Sequence, residues 1–266
     1  MNFGRAPRRW RRAVGDQGPV VGATAASTWG IPPERPALQA DDLHIWRASL
    51  EASAEVIKEM EAILTPGERA RAERFKFPGG RERYVAGRAT LRRLLGRYLE
   101  EAPESITFEH GKYGKPYLSG GAALHFNVSD SQDVAVFALA LGREVGVDIE
   151  RIRQETHCEK IARRHFTPGE YMEMMALPKI NLRECFFHMW ARKEAFVKAI
   201  GMGLYAPLNA FEVTVWPKTP VAVHVLMPLE ASAGRWSLAE ITPEEGYCAA
   251  VAIQGTPPRI TCWRWS

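Results

Sequence analysis

Two segments constrain the fold of this 266-residue chain more than any others. In Gly146-Val147-Asp148-Ile149-Glu150 apolar and acidic residues alternate, and Leu182–Ile200 reads as a long amphipathic helix. Side chains alternate along a strand, so Val147 and Ile149 enter a core while Asp148 and Glu150 share the opposite face. On the helix, Phe186, Met189, Trp190, Phe196, Val197 and Ile200 form one apolar face at about 100° per residue. Lys193 falls in the middle of that face, where an ammonium without a partner is costly. Glu194 and Lys198 sit on its border as i, i+4 neighbours. Any fold for this sequence must bury both elements and still give these charges partners.

Carboxylates held side by side repel unless a cation or a proton intervenes. Mg²⁺ takes hard oxygen ligands, one or two carboxylates completed by substrate phosphates and water. Three acids and a lysine on these two elements therefore point to a divalent metal holding a phosphorylated substrate. Each feature also has a plainer reading. Acids on an exposed strand edge are simply solvated, and Glu194 with Lys198 as a surface pair contributes about 0.3–0.5 kcal/mol. Lys193 could run its stem out to water.

The net charge of +4 is local in origin. Residues 1–40 hold six Arg against Asp16 and Glu34, which leaves the remaining chain near neutral and gives no argument for nucleic acid. Between Arg69 and Arg97 ten Lys or Arg meet only Glu73 and Glu82, which makes either a solvated basic helix or an anion-binding surface. Four Cys (158, 185, 248 and 262) show no metal-ligand spacing and read as reduced thiols in the cytoplasm. No apolar run approaches the roughly 20 residues of a membrane span, and the Arg-rich start lacks the apolar core of an export signal. Residues 1–40 read as a flexible extension, so their removal is expected to leave stability unchanged.

Folded structure is expected from the strand Leu43–Arg47, followed by a helical segment that stops near Thr65-Pro66-Gly67. A basic turn over residues 69–75 and a strong amphipathic helix over residues 84–99 come next. Strands follow at residues 124–128, 134–141 and 145–149. The second half repeats the grammar, with helices at 161–166, 168–175 and 182–200, then strands near 211–216, 221–226, 236–241 and 248–253. Helices and strands mix without strict βαβ alternation, so the expected class is α+β. The expected organisation is two similar subdomains, 41–145 and 146–266, with the site between them. Gly111-Lys112-Tyr113-Gly114-Lys115-Pro116 adds a tight loop with two cations, suited to a phosphate or a base.

These pieces, in this order, resemble the 4′-phosphopantetheinyl transferases of the large monomeric type. The match covers about residues 42–255, and its most specific parts are Gly146–Glu150 and Trp190-x-x-Lys193-Glu194-Ala195-x-x-Lys198-x-x-Gly201. Gly114-Lys115-Pro116 and Phe126-Asn127-Val128-Ser129 agree in order and spacing. The resemblance implies an enzyme of two α+β subdomains related by a pseudo-twofold. Such an enzyme moves phosphopantetheine from coenzyme A to a serine of an apo acyl, peptidyl or polyketide carrier protein and releases 3′,5′-ADP. It implies that Asp148, Glu150 and Glu194 hold Mg²⁺, with Mn²⁺ as an alternative, and that Glu194 is the general base. Lys198 would touch the pyrophosphate, Arg83 and Arg71 the 3′-phosphate, and Lys115 and Ser129 the surroundings of the adenine and its phosphates. It further implies a cytoplasmic monomer.

Two positions depart from the pattern. Glu68 stands where a basic residue is common, and Ser129-Asp130-Ser131 stands where the family usually reads Ser-His-Ser. A carboxylate at Asp130 would repel a coenzyme A phosphate by about 4 kcal/mol at ~4 Å and an effective dielectric of 20, unless it turns away or pairs with an Arg. The alternative reading is a different metal-dependent phosphoryl-transfer or phosphodiester enzyme using the same acids. No motif encodes which carrier is served.

Overall fold

Alternation within single strands sorts this molecule into layers, as a computed structural model describing residues 28–227, 229 and 232–266 shows. The first half contains β1 (Asp42–Ser49), α1 (Ala54–Ala62), α2 (Pro66–Ala72), α3 (Gly80–Leu99), β2 (Phe108–His110), β3 (Pro116–Leu118), β4 (Leu124–Ser131) and β5 (Val134–Leu141). The second contains β6 (Val145–Arg151), α4 (Cys158–His165), α5 (Pro168–Met175), α6 (Leu182–Ile200), β7 (Phe211–Val213), β8 (Val223–Val225), β9 (Trp236–Ile241), β10 (Tyr247–Gln254) and β11 (Arg259–Arg264). The class is α+β.

On β5, Ala135, Phe137 and Leu139 face α3 and join its core of Val85, Ala89, Leu94 and Leu95. Val136, Ala138 and Ala140 face the other way and meet Val145, Val147 and Ile149 of β6 and Ala249, Val251 and Ile253 of β10. The opposite residues of β10, Cys248, Ala250 and Ala252, lie under α6. The order is therefore α3, a β11-β1-β5-β4 sheet, a β6-β10-β9 sheet, and α6. Strands apolar on both faces are what such a stack requires.

The two halves share a device. Thr65-Pro66-Gly67-Glu68 opens α2 and Thr167-Pro168-Gly169-Glu170 opens α5, each as a capping box with Pro in the first turn. Each glutamate then reaches a buried cation on the long helix of its half. Glu68 takes Arg92 at 2.9 Å and also pairs with Arg88, and Glu170 takes Lys193 at 2.8 Å. Burial pushes the Glu68 carboxyl up, but Arg92, Arg88 and the Thr65 N–H together bring it below its ordinary value. Glu68 is thus a packing residue, which explains an acid at that position.

The subdomain boundaries drawn from sequence need correction at both ends. β11 pairs in parallel with β1, from Asp42↔Arg259 to Arg47↔Arg264, so residues 259–264 complete the first sheet rather than the second half. Without β11, β1 would be an open edge. Residues 28–40 are not a loose extension either. Gly30 N–H donates to Cys262 O at 3.0 Å, Trp29 packs on the inter-sheet core, and Pro36 is buried. Residues 1–27 lie outside the described residues. Truncation after residue 40 should therefore cost about 2 kcal/mol more than truncation after residue 27, roughly 4–8 °C in melting temperature. Equal melting of the two truncations would show that 28–40 contribute nothing. Among the described residues no helix is long and apolar enough to cross a membrane.

Candidate active site

The site is built where α6 crosses β6. A Cβ placed on Gly146 would lie 2.7 Å from Ala199 Cα and closer still to Ala199 N and Ala195 O. Only glycine lets the α6 backbone rest directly on the strand. That approach brings the face of β6 carrying Asp148 and Glu150 under the border of α6 carrying Glu194 and Lys198. Asp148 is only 5% exposed. Its Oδ1 accepts from Lys198 Nζ at 2.6 Å and from Ser129 Oγ at 2.9 Å, and Lys198 Nζ also donates to Ser129 Oγ at 2.7 Å. Asp148 Oδ2 is buried with no hydrogen-bond partner among the described residues.

Three side chains of β4 bind the free edge of β6. Val147 N–H donates to Asn127 Oδ1 at 2.9 Å, Ile149 N–H to Ser129 Oγ at 3.4 Å, and Arg151 N–H to Ser131 Oγ at 3.1 Å. Every second residue of one strand meets every second amide of the other, so side chains stand in for a backbone ladder between the sheets. The resemblance puts Ser129 in the surroundings of the adenine and its phosphates and assigns Asn127 and Ser131 no role. The run of small polar residues at i, i+2 and i+4 was the available signal.

The opposite face of β4 lines a groove of ≈ 550 Å³ that holds Arg71, Arg83, Tyr84, Arg88 and Asp130. Arg71 lies over the Tyr84 ring at 5.6 Å, and Arg83 pairs with Asp133 at 3.2 Å. Asp130 is exposed at the groove wall, yet the surrounding protein raises its pKa, with Lys198 and Arg83 opposing. Strand β4 thus joins the groove to the acids: Val128 and Asp130 line the groove, while Ser129 between them bonds Asp148 and Lys198.

Lys115 is turned inward. Its ammonium donates to Glu144 Oε2 at 2.7 Å, Ala199 O at 2.8 Å and Val145 O at 3.0 Å. An ammonium has three N–H donors, so none is left for a phosphate. Lys193 is likewise fully buried, between Glu170, the carbonyls of Leu208 and Phe211, and the Phe211 ring. The partner it needs is on α5.

Comparison with known proteins fits this geometry. Residues 46–141 match the family profile "4′-phosphopantetheinyl transferase, N-terminal", and residues 144–252 match that of the 4′-phosphopantetheinyl transferase superfamily. The 4′-phosphopantetheinyl transferase HetI of a Nostoc species is 37% identical over 90% of this chain and 98% of its own length. The chain belongs to the 4′-phosphopantetheinyl transferase superfamily. The transferase Sfp of Bacillus subtilis is 29% identical over 62% of this chain and 72% of its own length. A holo-(acyl-carrier-protein) synthase from Bacillus anthracis, solved in complex with CoA (3′,5′-ADP), covers 42% of this chain and 96% of its own, at 21% identity and a TM-score of 0.35.

In this transferase the acids perturb one another. Burial pushes Glu150 up to about 7, with the neighbouring charge of Asp148 adding to the shift and Arg153 and Lys198 opposing it. Glu194 is raised by burial and by Asp148, against Lys198. Among the described residues no three His, Cys, Asp or Glu side chains already converge as ligands. A hard cation that takes one or two carboxylates together with substrate phosphates does not require three. The orphaned Asp148 Oδ2 and the mutual repulsion of the acids fit such an ion.

Burial of Glu150, with the same repulsion added, has a cost without metal. Between the ordinary value of 4.5 and about 7, the folded protein holds a proton at Glu150 that the unfolded chain has lost, so stability falls as pH rises through that window. Glu150→Gln should stabilise the metal-free protein by about 2 kcal/mol near pH 8, with the gain fading toward pH 5. Thermal melts in EDTA at the two pH values check this. A variant that melts lower at both would contradict it.

Proposed function

We propose that this transferase moves the 4′-phosphopantetheine group of coenzyme A to a serine of an apo carrier protein, with Mg²⁺, releasing 3′,5′-ADP. The observation that carries the reading is the adjacency of an arginine groove to a buried carboxylate cluster with one unsatisfied oxygen, Asp148 Oδ2. Arg71 and Arg83 would take the 3′-phosphate, and Lys198, fixed by Asp148 and Ser129, would face the pyrophosphate. Asp148, Glu150 and Glu194 would hold Mg²⁺, which when bound neutralises the pyrophosphate and the leaving group. The serine hydroxyl attacks the β-phosphorus, the bond to the bridging oxygen breaks, and 3′,5′-ADP departs with that electron pair. Glu194, half-buried and with a raised pKa, would accept the hydroxyl proton. Groove and acids come from one chain, so a monomer suffices.

Incubation with coenzyme A, Mg²⁺ and a panel of apo carriers, read by mass and by nucleotide product, tests this. The expected result is carrier modification with stoichiometric 3′,5′-ADP, lost in excess EDTA. Cleavage of coenzyme A without carrier modification would favour a phosphodiester enzyme. Full transfer in EDTA would remove the metal.

A further inference from the structure

We infer that Lys115 is a positioning residue of the transfer reaction: it staples the start of β6 to the last turn of α6 and so sets Lys198 against Asp148. The inference rests on the transferase reading above. The three acceptors of Lys115 come from two separate parts of the chain. Glu144 and Val145 lead into the strand that carries Asp148, and Ala199 follows Lys198 directly.

The end of α6 is incomplete without it. Gly201 N–H returns to Lys198 O at 3.2 Å and Met202 N–H to Val197 O at 3.3 Å, whereas the Ala199 carbonyl takes the Lys115 ammonium. Carbonyls in a last helical turn have no partner within the helix, and a cation there also meets the negative end of the helix dipole.

The surrounding residues are arranged to deliver this side chain. Gly111 N–H donates to Lys115 O at 2.9 Å, closing the β2–β3 hairpin, and Gly114 turns it with φ +88°. Gly201 ends α6 with φ +71°, and a Cβ there would lie 3.2 Å from Lys115 Cδ, so its absence leaves room for the lysine stem. The rings of Tyr113 and Tyr205, 5.1 Å apart, join the hairpin to the segment after α6. Glu144 is held on its far side by His125 Nδ1 at 3.2 Å.

The far face of α6 is anchored independently: Phe196 meets Phe211 and Trp236, Arg192 pairs with Glu240, and Lys193 with Glu170. The α6 contact with Gly146 is made by the small residues Ala195 and Ala199. Such a surface permits close approach but offers few knobs to resist sliding. Directional hydrogen bonds from Lys115 to Val145 and Ala199 add resistance at this contact, next to Lys198. A slip of about 1 Å at Lys198 would be enough to lower the rate by an order of magnitude or more.

The test uses Lys115→Met and Glu144→Gln in the full chain, assayed well below their melting temperatures and scaled to folded protein. For Lys115→Met we expect kcat to fall about tenfold or more, with KM and Kd for coenzyme A within about twofold of wild type. Amide exchange should quicken at residues 198–202. Glu144→Gln keeps the two carbonyl bonds, so kcat should fall less and coenzyme A affinity should not change. A phosphate ligand would behave in the opposite way: Lys115→Met would weaken coenzyme A about tenfold, and Glu144→Gln would free the ammonium and tighten it. Wild-type kcat per folded molecule in both variants would make the lysine merely structural. Either result overturns the inference. If Lys115→Met does not fold, Glu144→Gln decides by the same split. If wild type modifies no carrier, the transferase reading fails, and unchanged exchange at the end of α6 in Lys115→Met would separately reject the staple.

Discussion

Gly146→Ala is expected to lose at least about 3 kcal/mol of stability and most of the activity of whatever folds. The added methyl group would sit 2.7 Å from Ala199 Cα and still nearer to the backbone atoms Ala199 N and Ala195 O. No rotamer relieves a clash with backbone, so α6 as a whole must lift from β6. That lift separates Lys198 from Asp148, which are 2.6 Å apart, and stretches the Lys115 bridge to Ala199. Gly67→Ala is the matched control. It lies in the first turn of α2 with nothing within 4 Å of an added Cβ, and should gain a few tenths of a kcal/mol. Urea denaturation of both variants tests the pair. A Gly146→Ala protein with wild-type midpoint would mean that α6 does not rest on β6 as described.

Periodic features of the chain were legible and pairings across it were not. The alternation in Val145–Ile149 correctly sends Val147 and Ile149 to a core, and the helix over Leu182–Ile200 has the bounds its apolar pattern indicates. The same alternation does not say what covers the other face. Asp148 is not on a solvated edge but beneath α6, because a second layer packs there. The lysine inside the apolar face of α6 signals a hidden partner, yet Glu170 lies on another helix and no spacing rule connects them. A local signal did exist: Thr-Pro-Gly-Glu occurs at both 65–68 and 167–170, and the two copies mark equivalent helix starts.

Parallel pairing of β11 with β1 joins residues 217 positions apart, so no window of sequence contains it. The contacts of Lys115 were hidden for a different reason. A lysine between two glycines and a proline reads as an exposed loop cation, whereas the hairpin turns it inward to three oxygens. Charge and turn chemistry predict a loop, but not the direction in which its side chain points.

Glu194→Gln is expected to lower kcat for carrier modification by about 10²–10⁴-fold while leaving the fold intact. Gln keeps the size of the side chain and its place on α6, one turn from Lys198, but has no basic oxygen for the serine proton. Lys198 keeps its bonds to Asp148 and Ser129, and Arg71 and Arg83 stay in the groove, so coenzyme A affinity should change little. Stability in EDTA should rise slightly, because one of the mutually repelling carboxylates has been neutralised. Loss of a metal ligand alone would look different: the Mg²⁺ half-saturation would rise, and excess metal would restore the rate. Loss of the base leaves saturating kcat low at every metal concentration. The pH profile separates the two again. Glu194 is a carboxylate with a raised pKa that must be ionised to act, so wild-type kcat should climb with pH through that ionisation. In the variant that limb should disappear, and attack should then depend on hydroxide or on Glu150. A Glu194→Gln enzyme that retains both the wild-type limb and a rate within about threefold of wild type would transfer the role of base to another group.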